Sequence, residues 1–190
     1  MKKLYIIAGC NGAGKTTASY TILPDVLKCN EFVNADEIAK GLSPFNPEST
    51  SILAGRLMLN RIRSLLSKGK NFAFETTLST RSYTKFVEQA KHSGYSVTLL
   101  FLWLNSEDLA VKRVQVRVKE GGHNIPEDVI RRRYQNGLSN FFKLYKPIVN
   151  DWMFINNSGD SYDILAQGSE FEDVIFNDQI WLNLKNQYDG

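Results

Sequence analysis

The sequence predicts one α/β domain built on a doubly wound parallel sheet, and three observations support this. The chain has 190 residues, a length that suits a single domain with a sizeable core. Short, continuous apolar runs recur along it, as is typical of strands buried on both faces. Segments with helical periodicity lie between these runs, and such alternation indicates parallel strands joined by crossover helices.

The composition fits a globular protein of the cytoplasm. Hydrophobic residues make up 43% of the chain, charged residues 23%, and the formal net charge is +3. This charge suits an anionic ligand but does not by itself indicate nucleic-acid binding, which usually shows a clear basic patch. The two cysteines form no metal or disulfide pattern, which favours a reducing compartment. No apolar stretch is long enough to span a membrane.

Five strands are expected, each around a short apolar run. In chain order they cover residues 4–8, 32–35, 71–74, 97–104 and 152–155.

Helices are expected between these strands. Met58 and Ile62 share one apolar face of the first long helix, and Phe86 and Val87 belong to the next. Ser106 is a candidate cap for a third helix, and a fourth opens at residue 126.

The chain after residue 158 is expected to extend the same domain rather than form another. Residues 162–166 and 173–176 can pair as two strands, and residues 180–184 can form a short final helix. The predicted domain organisation is therefore a core over residues 1–158 and an extension over residues 159–190.

Residues 9–16 carry the clearest chemical signal, because they match the phosphate-binding pattern G-x-x-x-x-G-K-[ST]. An apolar strand precedes the motif and a helix follows it, which is the context that the motif requires. Lys15 can reach the β- and γ-phosphates of ATP, and the Thr16 hydroxyl can ligate Mg²⁺. The predicted nucleotide-binding residues are Gly9, Asn11, Gly12, Ala13, Gly14, Lys15, Thr16 and Thr17.

Two acids follow predicted strands, at the sheet edge where open α/β proteins bind ligands. Asp36 is a candidate base that accepts the proton of an attacking hydroxyl, or else an acid in the first turn of a helix. Glu75 is a candidate for acceptor binding or for a position near Mg²⁺, and the residues leave these two roles open. Glu37 is expected to face solvent.

An arginine-rich segment over residues 113–135 is predicted to form a helical lid. Arg113 and Arg117 lie four residues apart on one helix face. A glycine turn and His123 follow, and residues 131–133 are all arginine. Phosphoryl transfer spreads negative charge that arginines stabilise, and Arg117 is the preferred candidate because it lies closest to the turn.

Taken together, these motifs resemble the zeta-toxin-like P-loop kinases over about residues 4–158. The resemblance rests on residues 9–17, 33–36, 74–79, 113–123, 132–134 and 156–158.

The resemblance implies a P-loop kinase fold with a central five-stranded parallel sheet, a helical lid and a reaction that uses ATP and Mg²⁺. It implies that a hydroxyl of a nucleotide sugar such as UDP-N-acetylglucosamine is phosphorylated. Asp36 would be the base, Glu75 and Thr77 would line the acceptor site, and Arg117 would act on the transferred phosphate. An antitoxin protein would be a partner.

The lid departs from the family pattern because it is compact. The longer toxins carry a second lid arginine, and the candidates here are Arg113, His123 and Arg132 or one of its neighbours. Asn156 stands where the family usually has an acid. Asn157 and Ser158 are candidates for adenine contact or for an ordinary strand-end turn.

Two other functions remain open from the sequence. One is a kinase for another hydroxyl, on a nucleoside or at a polynucleotide 5′-end, although the aromatic residues near position 142 have core-like spacing. The other is a regulatory ATPase, for which residues 74 and 75 match the acidic Walker B pair poorly. A GTPase lacks support because the Asn-Lys-x-Asp pattern is absent.

Overall fold

The computed structural model describes residues 1–122 and 124–189. In this part of the chain, each of the first four strands is followed by one or two α-helices before the next strand begins. The strands, named β1 to β7 in chain order, are Lys2–Ala8, Phe32–Val33, Phe72–Thr76, Tyr95–Trp103, Asp151–Asn156, Asp163–Ser169 and Asp173–Ile175. The α-helices, named α1 to α7, are Lys15–Thr21, Ala35–Leu42, Ser51–Ser67, Thr84–His92, Glu107–Lys119, Glu127–Asn140 and Asp178–Tyr188.

All the described strands belong to one sheet, in the order β2-β3-β1-β4-β5-β6-β7. The first five are parallel to one another, which confirms the predicted α/β fold with its parallel sheet. The sheet has seven strands rather than five because β6 pairs antiparallel to β5, and β7 pairs antiparallel to β6. The expected pairing of the last two strands is thus confirmed, and β6 continues to Ser169.

Strand β2 is shorter than the sequence predicts. It ends at Val33 because the next residue, Asn34, caps helix α2 instead of continuing the strand. The Asn34 side-chain oxygen accepts hydrogen bonds from the amides of Asp36 and Glu37, at 2.8 and 3.4 Å. An N-cap of this kind satisfies backbone donors that a helix leaves unpaired in its first turn. The chain therefore turns into α2 directly at the carboxyl end of β2.

Aromatic packing holds the C-terminal segment against the sheet. Phe101 on β4 stacks on Phe154 on β5, with ring centroids 5.2 Å apart. Trp181 on α7 stacks on Trp152 at 5.2 Å, and both indoles are buried. Large aromatic side chains contribute much of the apolar area that such a core buries. Helix α7 therefore packs against one face of the sheet at strand β5.

The two helices of the predicted lid have clear start signals. The Ser106 hydroxyl accepts a hydrogen bond from the amide of Leu109, which confirms it as the cap of α5. Helix α6 follows Pro126, as expected. The Arg131 guanidinium joins the two helices because it pairs with Asp108 on α5 and Glu127 on α6, both at 2.7 Å.

Among the described residues, no helix is both long enough and apolar enough to cross a membrane.

Candidate active site

The phosphate-binding motif forms the connection between β1 and α1, at the carboxyl edge of the sheet. Gly9 has a φ of +139°, and a Cβ there would overlap the carbonyl oxygen of Leu102 on β4. Gly14 caps α1 with a φ of +81°. Glycine tolerates such backbone conformations without steric cost. The glycines of the motif therefore let the loop bend tightly against its neighbouring strand.

Lys15 is buried beneath this loop, with 6% of its surface exposed. Its ammonium donates a hydrogen bond to the carbonyl oxygen of Cys10 at 2.9 Å. The same ammonium lies 3.5 Å from the Oε1 atom of Glu75, the penultimate residue of the neighbouring strand β3. A buried cation needs such partners to offset its desolvation.

Glu75 also contacts the next residue of the motif. The Thr16 hydroxyl donates to Oε2 of Glu75 at 2.8 Å, and the Asn34 amide nitrogen donates to the same oxygen at 2.8 Å. The Asn34 amide nitrogen lies 3.3 Å from the Thr16 hydroxyl. Residues from β1–α1, β2–α2 and β3 thus meet in one polar cluster.

Asp36 lies in the first turn of α2, and its side chain is exposed at the edge of a cleft. Glu37 lines the same cleft, although the sequence predicts that it faces solvent. Its carboxylate pairs with Lys40 at 2.8 Å, across one turn of the helix. The cap at Asn34 starts α2 early, so both acids of the first turn border the cleft.

The cleft has a volume of about 460 Å³ and joins the phosphate loop, α2 and the lid. Its lining includes the candidate residues Asn11, Gly12, Gly14, Lys15, Thr16, Thr17, Asp36, Glu75, Arg113 and Arg117.

Both α5 arginines reach this cleft. Arg113 donates to the backbone carbonyl of Ser158 at 3.3 Å, which ties α5 to the turn after β5. The carbonyl of Arg117 accepts a hydrogen bond from the amide of Gly122 at 2.8 Å. The glycine turn thus folds back on the last turn of α5, next to Arg117. His123, the next candidate along the chain, lies outside the described residues.

The three consecutive arginines of α6 have different surroundings. Arg131 takes part in the ion pairs between α5 and α6, and Arg132 is exposed and does not line the cleft. Arg133 points toward the phosphate loop, where it donates to the side-chain oxygen of Asn11 at 3.2 Å. Burial lowers the pKa of Arg133, and the nearby Asp36 carboxylate opposes this shift. A nitrogen of this guanidinium therefore lies next to the nucleotide motif.

Thr77 lies outside the lining of the cleft. Its hydroxyl is 2.8 Å from that of Ser79, in the loop between β3 and α4. The carbonyl of Leu78, between them, accepts a hydrogen bond from Asn140 of α6 at 2.8 Å. The loop after β3 is thus attached to the lid helix.

Asn157 supports the phosphate loop from the end of β5. Its amide nitrogen donates to the carbonyl oxygen of Ala13 at 2.9 Å. Ser158 accepts a hydrogen bond from the amide of Asn105. The sequence does not predict this bond between Asn157 and the loop backbone, because nothing in the linear sequence connects positions 13 and 157.

Cys10 is buried within the motif, and burial raises the pKa of its thiol to about 11. The thiol therefore stays protonated near neutral pH, where reactive cysteines are thiolates. Cys10 thus acts as a small buried side chain of the loop.

The sequence matches the zeta toxin family over residues 1–169. A Haemophilus influenzae protein described as uncharacterized is 31% identical over 140 residues, which is 70% of this chain and 98% of that protein.

Solved structures with the same fold include chains of two protein complexes. A chain of the AvrRxo1-ORF1:AvrRxo1-ORF2 complex with sulphate ions gives a TM-score of 0.78 at 17% identity, and the match covers 97% of this chain and 63% of that chain. The same complex with ATP gives a TM-score of 0.75. This chain therefore spans less than two thirds of the matched AvrRxo1 chain.

A chain of the PezAT chromosomal toxin–antitoxin system of Streptococcus pneumoniae gives a TM-score of 0.69 at 18% identity, over 100% of this chain and 79% of that chain. At such identities the structural likeness establishes the fold alone. The sequence match over residues 1–169, by contrast, shows that the chain belongs to the zeta toxin family.

Proposed function

We propose that this protein transfers the γ-phosphate of ATP to a hydroxyl of a nucleotide sugar such as UDP-N-acetylglucosamine. One observation carries the proposal: the phosphate loop, the carboxylate of Asp36 and the arginines of α5 border a single cleft. Phosphoryl transfer depends on positioning and on electrostatic stabilisation, and this cleft contains groups for both.

Lys15 and the backbone amides of the loop would bind the phosphates of ATP. The Lys15 ammonium, now bonded to Cys10 and close to Glu75, is near enough to the loop to exchange these contacts for phosphate oxygens. Arg117 and Arg113 would stabilise the charge that develops on the transferred phosphoryl group. The ATP-containing AvrRxo1 complex, which has the same fold, supports ATP as the donor.

Asp36 would act as the general base. It would accept the proton of the acceptor hydroxyl while that oxygen forms its bond to the γ-phosphorus and ADP leaves. Its exposure at the cleft leaves it accessible to an acceptor. Thr77 remains a proposed acceptor residue, together with its hydroxyl neighbour Ser79.

Thr16 and Glu75 would hold Mg²⁺. Their oxygens lie 2.8 Å apart beside Lys15, and hydroxyl and carboxylate oxygens are donors that Mg²⁺ prefers. When bound, the ion would supply positive charge that offsets the negative charge of the phosphates. Of the two roles that the sequence leaves open for Glu75, these contacts favour the metal-side role. A pair of side-chain oxygens fits this ion, because Mg²⁺ is usually bound through one or two carboxylates together with substrate phosphates and water.

We also propose that an antitoxin protein binds this chain. The support comes from two solved structures with the same fold, a chain of the PezAT toxin–antitoxin system and a chain of the AvrRxo1-ORF1:AvrRxo1-ORF2 complex.

A phosphotransfer assay tests the proposed reaction. Purified protein and Mg-ATP are incubated with UDP-N-acetylglucosamine, other nucleotide sugars, nucleosides and a 5′-hydroxyl oligonucleotide, and mass spectrometry identifies any product that gains one phosphate. We expect a phosphorylated nucleotide sugar. A phosphorylated nucleoside or oligonucleotide would support a kinase but identify a different acceptor from the one proposed. ADP formation independent of every acceptor would favour a regulatory ATPase.

A further inference from the structure

We propose that Asn34 is a positioning residue that joins the magnesium side of the site to the helix carrying the general base. This inference deepens the proposed function and rests on it. Asn34 has 6% of its surface exposed, and it lies where β2 ends and α2 begins. Its side chain is not a general acid or base, because an uncharged amide only donates and accepts hydrogen bonds.

The two ends of the amide contact different parts of the site. The nitrogen donates to Oε2 of Glu75 at 2.8 Å and lies 3.3 Å from the Thr16 hydroxyl. The oxygen accepts from the amides of Asp36 and Glu37. The side chain therefore links the two proposed metal ligands to the first turn of α2.

Only a carboxamide of this length meets both requirements. An aspartate would cap α2 equally well, but its oxygens cannot donate to Glu75 and would repel that carboxylate. A serine would also cap the helix, but its hydroxyl is too short to reach Glu75 at the same time. A leucine would leave the helix amides and Glu75 without these partners, which is costly in a buried place.

The geometric consequence is a coupling between Glu75 and Asp36. Hydrogen bonds to an ionised carboxylate are among the stronger ones in proteins, so the bond to Asn34 restricts the orientation of Glu75. The same side chain fixes the start of α2, and a misplacement of about 1 Å in a reacting group can reduce rate by about a hundredfold.

The test compares Asn34→Ser and Asn34→Ala with wild type. Serine retains the helix cap and removes the bridge, whereas alanine removes both. Asn177 provides the matched control, since its side-chain oxygen caps α7 by accepting from the amide of Ile180 at 3.1 Å. Asn177→Ser therefore tests the effect of the same substitution at a cap outside the cleft.

The first measurement is ATP affinity with and without Mg²⁺, by calorimetry, which needs no acceptor. We expect the Mg²⁺-dependent gain in affinity to fall by about tenfold in Asn34→Ser, while affinity for metal-free ATP stays within about threefold. Asn177→Ser should match wild type in both. An unchanged Mg²⁺ effect in a folded Asn34→Ser protein would overturn the inference.

The second measurement separates kcat from KM in the phosphotransfer assay. We expect kcat to fall by about tenfold or more in Asn34→Ser and further in Asn34→Ala, while the KM for Mg-ATP rises in line with the loss of Mg-ATP affinity. Equal kcat values for wild type and Asn34→Ser would also overturn the inference. A wild-type protein that binds Mg-ATP but phosphorylates no acceptor would instead overturn the proposed function, and the calorimetry would still decide the role of Asn34.

Discussion

The guanidinium of Arg133 donates a hydrogen bond to the side-chain oxygen of Asn11 at 3.2 Å, across 122 positions of sequence. This contact connects the lid helix α6 directly to the phosphate loop. Arg132, one residue earlier, is exposed and does not line the cleft. Arg133 therefore provides a test position, and Arg132 provides its matched control.

We expect Arg133→Gln to lower kcat/KM for ATP by about tenfold or more, because it removes a positive charge beside the phosphate loop. Steady-state phosphotransfer kinetics measure this effect. Arg132→Gln removes the same charge from an exposed position and should change kcat/KM by less than about twofold. If Arg132→Gln is the more damaging variant, the second lid cation is Arg132.

Lys15→Ala should abolish nucleotide-dependent phosphotransfer, with a loss of at least about a hundredfold in kcat/KM. The substitution removes the buried ammonium that contacts both the loop carbonyl of Cys10 and the carboxylate of Glu75. Phosphotransfer and ATP affinity are measured together on the folded variant. Full activity would contradict the assignment of residues 9–16 as the phosphate loop.

Asp36→Asn should leave ATP binding nearly intact and reduce transfer by about a hundredfold or more, because a general base is lost. The side chain is exposed and the helix cap at Asn34 is retained, so the fold should not change. Calorimetry measures ATP affinity, and product formation measures transfer. Transfer within a few-fold of wild type would show that Asp36 serves only as an acid of the first helical turn.

Gly122→Ala should displace Arg117. A Cβ at position 122 would lie 2.6 Å from the Arg117 Cγ and 2.7 Å from its carbonyl oxygen, and the backbone oxygen cannot move without disturbing α5. We expect kcat to fall by about tenfold, with little change in melting temperature. Gly159→Ala is the control, since nothing lies within 4 Å of its Cβ. A normal kcat for Gly122→Ala would show that the glycine turn does not position Arg117 for catalysis.

Alkaline pH should destabilise the wild-type protein partly through Cys10. Burial raises the pKa of this thiol from 9.0 to about 11 in the folded state. The unfolded chain therefore loses the proton first, and stability falls as pH rises from about 9 toward 11. Between pH 8 and pH 10 this contribution should be about 1 kcal/mol.

Urea unfolding at the two pH values, for wild type and Cys10→Ala, measures this contribution. The free energy of unfolding should fall by about 1 kcal/mol less in Cys10→Ala than in wild type. The comparison between pH values removes any constant cost of the smaller side chain. An identical pH dependence would mean that the Cys10 thiol ionises at the same pH in both states.

The sequence by itself determined the parallel core and the phosphate loop. Continuous apolar runs predict strands buried on both faces, and the motif at residues 9–16 follows one of them. Both signals are local, because they depend on hydrophobicity and on the glycine and lysine positions within a few residues. Serine at position 106 and proline at position 126 likewise predicted the starts of the lid helices through local capping.

Only the tertiary structure decided which residues meet at the site. The bridge from Asn34 to Glu75, the bond from Arg133 to Asn11 and the contact of Asn157 with the loop join distant positions. Strand register and helix packing create these contacts, and a single sequence carries no periodic signal for them. The short β2 and the position of Glu37 also depend on Asn34. An asparagine at this point can either extend the strand or cap the next helix, and its polar partners in the folded protein select the helix cap.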